Sequence, residues 1–176
     1  MILEAIELCP AMVTIEQLSP HRAMNLKRVR LTALKDTPSA FSSTYARESQ
    51  RSNEDWVELA LAWNSGQSVF YIAMDESTPC GMIAGKFDEN APRRAWVLSM
   101  WVAPEHRRSG LGAKLMDEVE RWAQGLGIRE LHLHVTSNNS TAQNFYDKCG
   151  FTRTGITQPY QNDAALFEYE MAKALK

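Results

Sequence analysis

The chain has no excess of one charge, no paired cysteines and no long apolar run, and each absence removes a class of function. Its 176 residues carry 19 Lys and Arg against 21 Asp and Glu, a formal net charge of −2. A polyanion binder needs a broad positive field, so nucleic acid is not an expected partner. Basic residues gather only locally, as Arg93 and Arg94 with Arg107 and Arg108, a cluster whose size suits a phosphate-bearing small molecule. The three cysteines, Cys9, Cys80 and Cys149, are scattered, with no C-x-x-C pair. That pattern argues against a disulfide framework or a thiolate metal centre, and reduced thiols point to a cytoplasmic protein. The opening MILEAIELCPAM is apolar but acidic, without a basic leader, and no apolar run is long enough to span a bilayer. No membrane partner is expected. The four histidines lack i, i+4 pairing, although His132 and His134 share a strand face, and no metal is expected.

What the chain does have is ordinary globular material, 44% hydrophobic and 23% charged. Its length suits a single domain over residues 1–176. The most informative stretch is Leu98–Gly112, LSMWVAPEHRRSGLG, an apolar strand that turns through arginine and glycine into a helix. Gly110 and Gly112 let the backbone approach a ligand closely. The helix N-terminus behind them offers unpaired N–H groups and the positive end of a dipole. Arg107 and Arg108 add fixed charge, so the turn reads as an anion site.

Around it the periodicities predict the elements in order. Alternation marks a strand over Met12–Leu18. Ser19-Pro20 opens a helix that runs to about Lys35 and stops at Thr37-Pro38, and Asn53 caps a second helix through EDWVELALAW. Ser68–Met74 and Gly81–Phe87 form a hairpin, and Trp96–Val102 the next strand. The helix Gly110–Gly125 carries an apolar stripe of Leu111, Leu115, Val119, Trp122 and Leu126, with Asp117 and Arg121 on its wet side. Leu131, Leu133 and Val135 mark a strand, Ser140 opens a helix ending near Gly150, and 152–157 and 166–171 close the chain as strands. GMIAGK at 81–86 is too short for a phosphate loop, and a dinucleotide fold fails where Leu115 stands for the third glycine. The order predicts an α/β fold with a mixed, mostly antiparallel sheet and helices on both faces.

Two segments carry a family resemblance. Val102, Pro104, Arg107, Gly110 and Gly112 fall in register with the signature V-x-P followed by Q/R-x-x-G-x-G/A. Asn139, Ala142, Tyr146, Gly150 and Phe151 match N-x-x-A-x-x-x-Y-x-x-x-G-F. In their order and spacing these motifs resemble the GNAT superfamily of N-acetyltransferases. The resemblance implies the GNAT fold, acetyl-CoA as co-substrate and transfer of its acetyl group to a primary amine of a small molecule or a protein. Dimerisation, common in that family, makes a homodimer an expectation.

It also implies roles. Backbone groups of Met100, Trp101 and Val102 face the acyl and pantetheine end. The N–H groups of Arg108, Ser109, Gly110, Leu111, Gly112 and Ala113 hold the pyrophosphate with help from Arg107, and Asn139, with Asn144 as a neighbour, bonds the cofactor arm. Tyr146 matches the family's general acid. Many members carry a carboxylate base on the central strands, but Ala95–Val102 has none. His134 is the candidate base, with Glu105 and Glu168 as alternatives. Phe41, Tyr45 and Trp56 are candidates for an acceptor wall or for simple core packing. A non-catalytic acyl-CoA-binding module is the alternative to an enzyme.

Overall fold

The computed structural model describes residues 13–176. Cys9 and the opening segment lie outside the described residues. The chain runs β1 (Thr14–Gln17), α1 (Ala23–Asp36), α2 (Tyr45–Glu48), α3 (Asn53–Ala62), β2 (Ser68–Asp75), β3 (Thr78–Phe87) and β4 (Arg94–Val102). It continues through α4 (Leu111–Gly125), β5 (Glu130–Thr136), α5 (Ser140–Lys148), β6 (Thr152–Pro159) and β7 (Phe167–Ala174). The seven strands form one sheet in the order β1-β2-β3-β4-β5-β7-β6. Of its pairs only β4 with β5 is parallel, so the mixed, mostly antiparallel α/β sheet expected from the element order is the one observed.

Local chemistry explains the helix ends. Ser52, not Asn53, caps α3: its hydroxyl accepts from the Asp55 N–H while the Asp55 carboxylate accepts from the Ser52 N–H, a reciprocal capping box. Asn53 instead accepts from Lys27. Ser19 precedes a short 3₁₀ turn at Pro20–Arg22 and makes no side-chain cap. On α4, Leu111, Leu115 and Val119 are buried as the stripe requires, joined by Met116 and Ala123, whereas Leu126 is half exposed. Arg121 pairs with Glu118, one turn away, rather than with Asp117.

The helix lies close against β3. A Cβ on Gly85 would stand 2.7 Å from the Trp122 ring and 3.1 Å from Val119, so the missing side chain is what lets helix and sheet meet. Each large apolar side chain fully buried here contributes roughly 1.5–3 kcal/mol. Trp56, Leu26, Leu115, Leu131 and Met171 belong to one continuous core.

Two irregularities open the sheet. First, β4 and β5 pair only over Arg94–Glu130, Ala95–Leu131 and Trp96–His132, although β4 runs on to Val102 and β5 to Thr136. Second, Met82 of β3 faces Trp101 and Ala84 faces Leu98, leaving Ser99 and Met100 opposite Ile83 alone. That is a β-bulge, and Ser99 takes the left-handed φ of 55° that such a bend calls for. The strands therefore part beyond Trp96, and a cleft fills the gap.

Candidate active site

The cleft has a volume of about 360 Å³. Its floor is the parted strands, with Val97, Leu98, Ser99 and Met100 on one side and His134, Val135 and Thr136 on the other. Asn139, Ala142 and Tyr146 of the α5 segment, Glu168 of β7 beside Thr136, and Arg30, Phe41 and Tyr160 complete the lining.

Strand alternation decides which backbone groups are free. The Ala103 N–H donates to the Cys80 carbonyl at 2.8 Å, toward β3. Its neighbour Val102 therefore turns the other way, and its carbonyl accepts from Arg107 Nε at 2.9 Å. Trp101 turns its indole into the core, where it donates to Asp36 at 2.9 Å. Neither Trp101 nor Val102 lines the cleft; Met100 does.

At the mouth of α4, Gly110 adopts φ 86°, a conformation that a residue with a Cβ rarely takes, and Arg108 adopts 61°. The Ser109 hydroxyl donates to the His106 carbonyl at 2.6 Å and receives the Leu111 N–H at 3.4 Å. Among the described residues, the N–H groups of Arg108, Ser109, Gly110, Gly112 and Ala113 find no protein acceptor. A run of unpaired donors at the positive end of a 15-residue helix attracts an anion. Gly112 has a packing reason too, because a Cβ there would press on the Phe145 ring at 3.1 Å.

Arg107 is committed elsewhere. It pairs with Asp36 and ties α1 to the end of β4. Burial alone raises the Asp36 carboxyl, but donation from Trp101 and Arg107 outweighs it and holds the group below its ordinary value. Arg108 is the freer cation at this turn.

Asn139 caps α5, its side-chain oxygen accepting from the Ala142 N–H at 3.1 Å. Asn144 is exposed on α5 and does not line the cleft. Tyr146 does, packed between Phe145 and Phe151. Burial, reinforced by the nearby Cys149 thiol, pushes its phenol well above the ordinary tyrosine range. The hydroxyl thus stays protonated at neutral pH.

His134 also lines the cleft, its ring stacked on Trp96 at 4.8 Å. Glu168 lines it as well, on β7 beside Thr136, and receives Gln158 Nε2 at 2.7 Å, while Glu105 sits in the 3₁₀ turn after β4, outside the cleft lining. Among the expected aromatics only Phe41 faces the cleft. Tyr45 lies outside it beneath Lys35, and Trp56 is fully buried in the core.

Three groups at the cleft had no sequence signal. Arg30 donates to the Ser99 hydroxyl at 3.1 Å and faces Glu48 at 3.8 Å, bracing the bulge from α1. Tyr160 donates to the Phe41 carbonyl at 2.8 Å. Thr136, almost fully buried, has an Oγ1 without a hydrogen-bond partner among the described residues. Only topology brings these together.

Among the described residues, no group of three or more His, Cys, Asp or Glu is placed to hold a metal ion, and no helix is long and apolar enough to cross a membrane.

The geometry has counterparts. The family model described as "Acetyltransferase (GNAT) family" matches residues 30–151. An Arabidopsis thaliana protein named GCN5-related N-acetyltransferase 7, chloroplastic, is 41% identical over 68 residues, 39% of this chain and 25% of that protein. Its companion, GCN5-related N-acetyltransferase 6, chloroplastic, is 27% identical over 58% of this chain and 38% of its own length. The chain thus spans well under half the length of these curated relatives. A GNAT-family acetyltransferase from Streptococcus pneumoniae superposes with a TM-score of 0.78 at 21% identity, covering 94% of this chain and 100% of that one. The PaiA N-acetyltransferase of Thermoplasma acidophilum, solved with coenzyme A, superposes at 0.73 with 26% identity, covering 93% and 99%. With the matching fold and a family match over residues 30–151, most of its length, this chain belongs to the acetyltransferase (GNAT) family.

Proposed function

We propose that residues 1–176 act as one acetyltransferase domain that moves the acetyl group of acetyl-CoA onto a primary amine of a small molecule or a protein, in a single ternary complex. The observation that carries this reading is the pairing of a splayed strand edge with the run of unpaired N–H groups at α4. The residues present fit acetyl-CoA. The free edges of β4 and β5 suit an amide-rich arm, as an added strand suits a sheet edge. The unpartnered Thr136 hydroxyl lies between that edge and α5, and the donors at Arg108–Ala113 suit a pyrophosphate. Bound acetyl-CoA supplies an acyl carbonyl activated by its thioester. The T. acidophilum relative with coenzyme A supports the co-substrate.

The chain's own groups do the rest. The acceptor nitrogen bonds to the acyl carbon as the carbon–sulfur bond breaks. His134 takes the proton that leaves nitrogen, and Tyr146 gives one to the departing sulfur. Backbone N–H groups near Met100 steady the developing oxyanion. A homodimer and a cytoplasmic setting complete the proposal.

Thiol release from acetyl-CoA with a mixed amine panel tests it. The parent chain should turn over, and Tyr146→Phe should lower kcat by about 100-fold while acetyl-CoA still binds. Equal turnover by both would remove the acid role. Binding by the parent with no turnover on any amine would favour a non-catalytic acyl-CoA-binding module.

A further inference from the structure

On the His134 side of the cleft a line of alternating acids and bases runs back through the sheet. Glu170 of β7 is buried and pairs in register with His134. One of its carboxylate oxygens lies 3.8 Å from His134 Nε2 and the other 3.1 Å from His132 Nδ1. His132 Nε2 in turn lies 3.3 Å from Glu130, whose side chain is 59% exposed. Trp96 holds the two rings in place, stacked on His134 and edge-on to His132 at 5.4 Å, and is itself anchored by donating to Asp88 at 2.8 Å.

We propose that Glu170 is the positioning residue that makes His134 a base, and that Glu170, His132 and Glu130 conduct the accepted proton out of the cleft to solvent. This rests on the acetyltransferase reading. A buried carboxylate is costly unless paired and hydrogen-bonded, and here its partners are two imidazoles, only one of which faces the cleft. With its Nε2–H toward Glu170, His134 keeps the Nδ1 lone pair for the acceptor's proton. When that proton arrives the ring becomes imidazolium beside a carboxylate, which favours the charged form. The Nε2 proton then passes to Glu170, from Glu170 to His132, and from His132 to Glu130 and water. Each donor regains its neutral or anionic form with both rings in the opposite tautomer, and proton exchange with water restores the starting tautomers, so no reactant besides water is needed. The 3.8 Å gap is an ion-pair distance, and proton transfer across it requires the pair to shorten to a hydrogen bond.

The charged and titratable groups facing this string are few. From β7 come Glu168 and Glu170, from β5 Glu130, His132 and His134, and from the β3–β4 end Asp88 and Arg94, which satisfy each other at 2.7 Å. A merely structural ion pair would occupy the same atoms, so the test reads the base directly. In the full chain, the His134 ring proton is titrated by NMR in the parent, Glu170→Gln and His132→Gln, alongside the pH profile of kcat/KM for thiol release.

Removing the carboxylate in Glu170→Gln, 3.8 Å from the ring, should move the measured His134 midpoint to lower pH. The rising limb of the rate profile should move to lower pH by the same amount, and kcat should fall by roughly tenfold or more with the KM for acetyl-CoA unchanged. His132→Gln, which leaves Glu170 to His134 alone, should raise the midpoint, and it serves as the test should Glu170→Gln fail to fold. Unshifted midpoints in whichever of the two variants folds would overturn the proposal. The NMR readout does not need turnover, so a parent chain without activity but with these shifts would sink the acetyltransferase reading and leave the carboxylate–imidazole coupling standing.

Discussion

Tyr146 and Asp36 illustrate how one side chain's surroundings set its chemistry. The Tyr146 phenol is desolvated by Phe145 and Phe151 and has no charged donor to offset that loss. Its ionised form is therefore disfavoured. Ultraviolet titration of the parent minus Tyr146→Phe should show this phenol still protonated above pH ~10, where free tyrosine ionises. A normal titration would mean that the pocket is wet and the acid poorly held. Asp36 shows the opposite balance, its charged form stabilised by Trp101 and Arg107. A carboxyl depressed in the folded state adds stability that is complete above its ordinary value of 3.8 and is lost as pH falls through the lower folded value. Asp36→Asn should thus unfold at lower temperature than the parent near pH 7. The gap should narrow toward pH 3, as calorimetric melts at the two pH values would show. Tyr146 and Arg107 were legible in the sequence as motif positions, Tyr146 by its spacing from Asn139 and Gly150. The engagement of Arg107 by Asp36, 71 positions away, was not, because only the packing of α1 against the end of β4 brings the two together.

At the scale of elements, α4 was readable because its stripe recurs at helical spacing and its Gly110 needs a left-handed φ. The bulge in β4 was not readable. It rests on a serine at φ 55°, and no residue type announces that conformation. The string from His134 to Glu130 escaped for a related reason: His132 and His134 were visible as a pair, but Glu170 joins them only once β7 inserts between β5 and β6. The helix–sheet contact at Gly85 makes a direct prediction. Gly85→Ala places a methyl inside the Trp122 ring's contact distance, and the rigid ring has little freedom to give way. The substitution should cost about 1–3 kcal/mol in denaturant unfolding, and it should also weaken acetyl-CoA binding by tilting the α4 mouth. A neutral outcome would mean that the helix rides more loosely on β3 than the packing implies.

Across the whole molecule, the cleft follows from topology. Five of the six strand pairs are antiparallel, but β4 and β5 are joined through α4 and run parallel. They touch for three residue pairs and then diverge, which leaves unpaired strand edges and the α5 phenol at one cleft, with the α4 N-terminus beside it, where a Cβ on Gly112 would lie 3.3 Å from Met100. A ligand that bridges these parts should stabilise the entire fold by mass action. The most direct measurement is a calorimetric titration of acetyl-CoA into the parent and into Gly110→Glu. A Cβ at Gly110 meets no atom within 4 Å, but its left-handed φ strains any side chain placed there by roughly 1–2 kcal/mol; circular dichroism checks that the variant folds, and its carboxylate repels a pyrophosphate at the α4 mouth. Saturable binding by the parent that is lost in the folded variant is the predicted result; undiminished binding by Gly110→Glu, or none by the parent, would contradict the account.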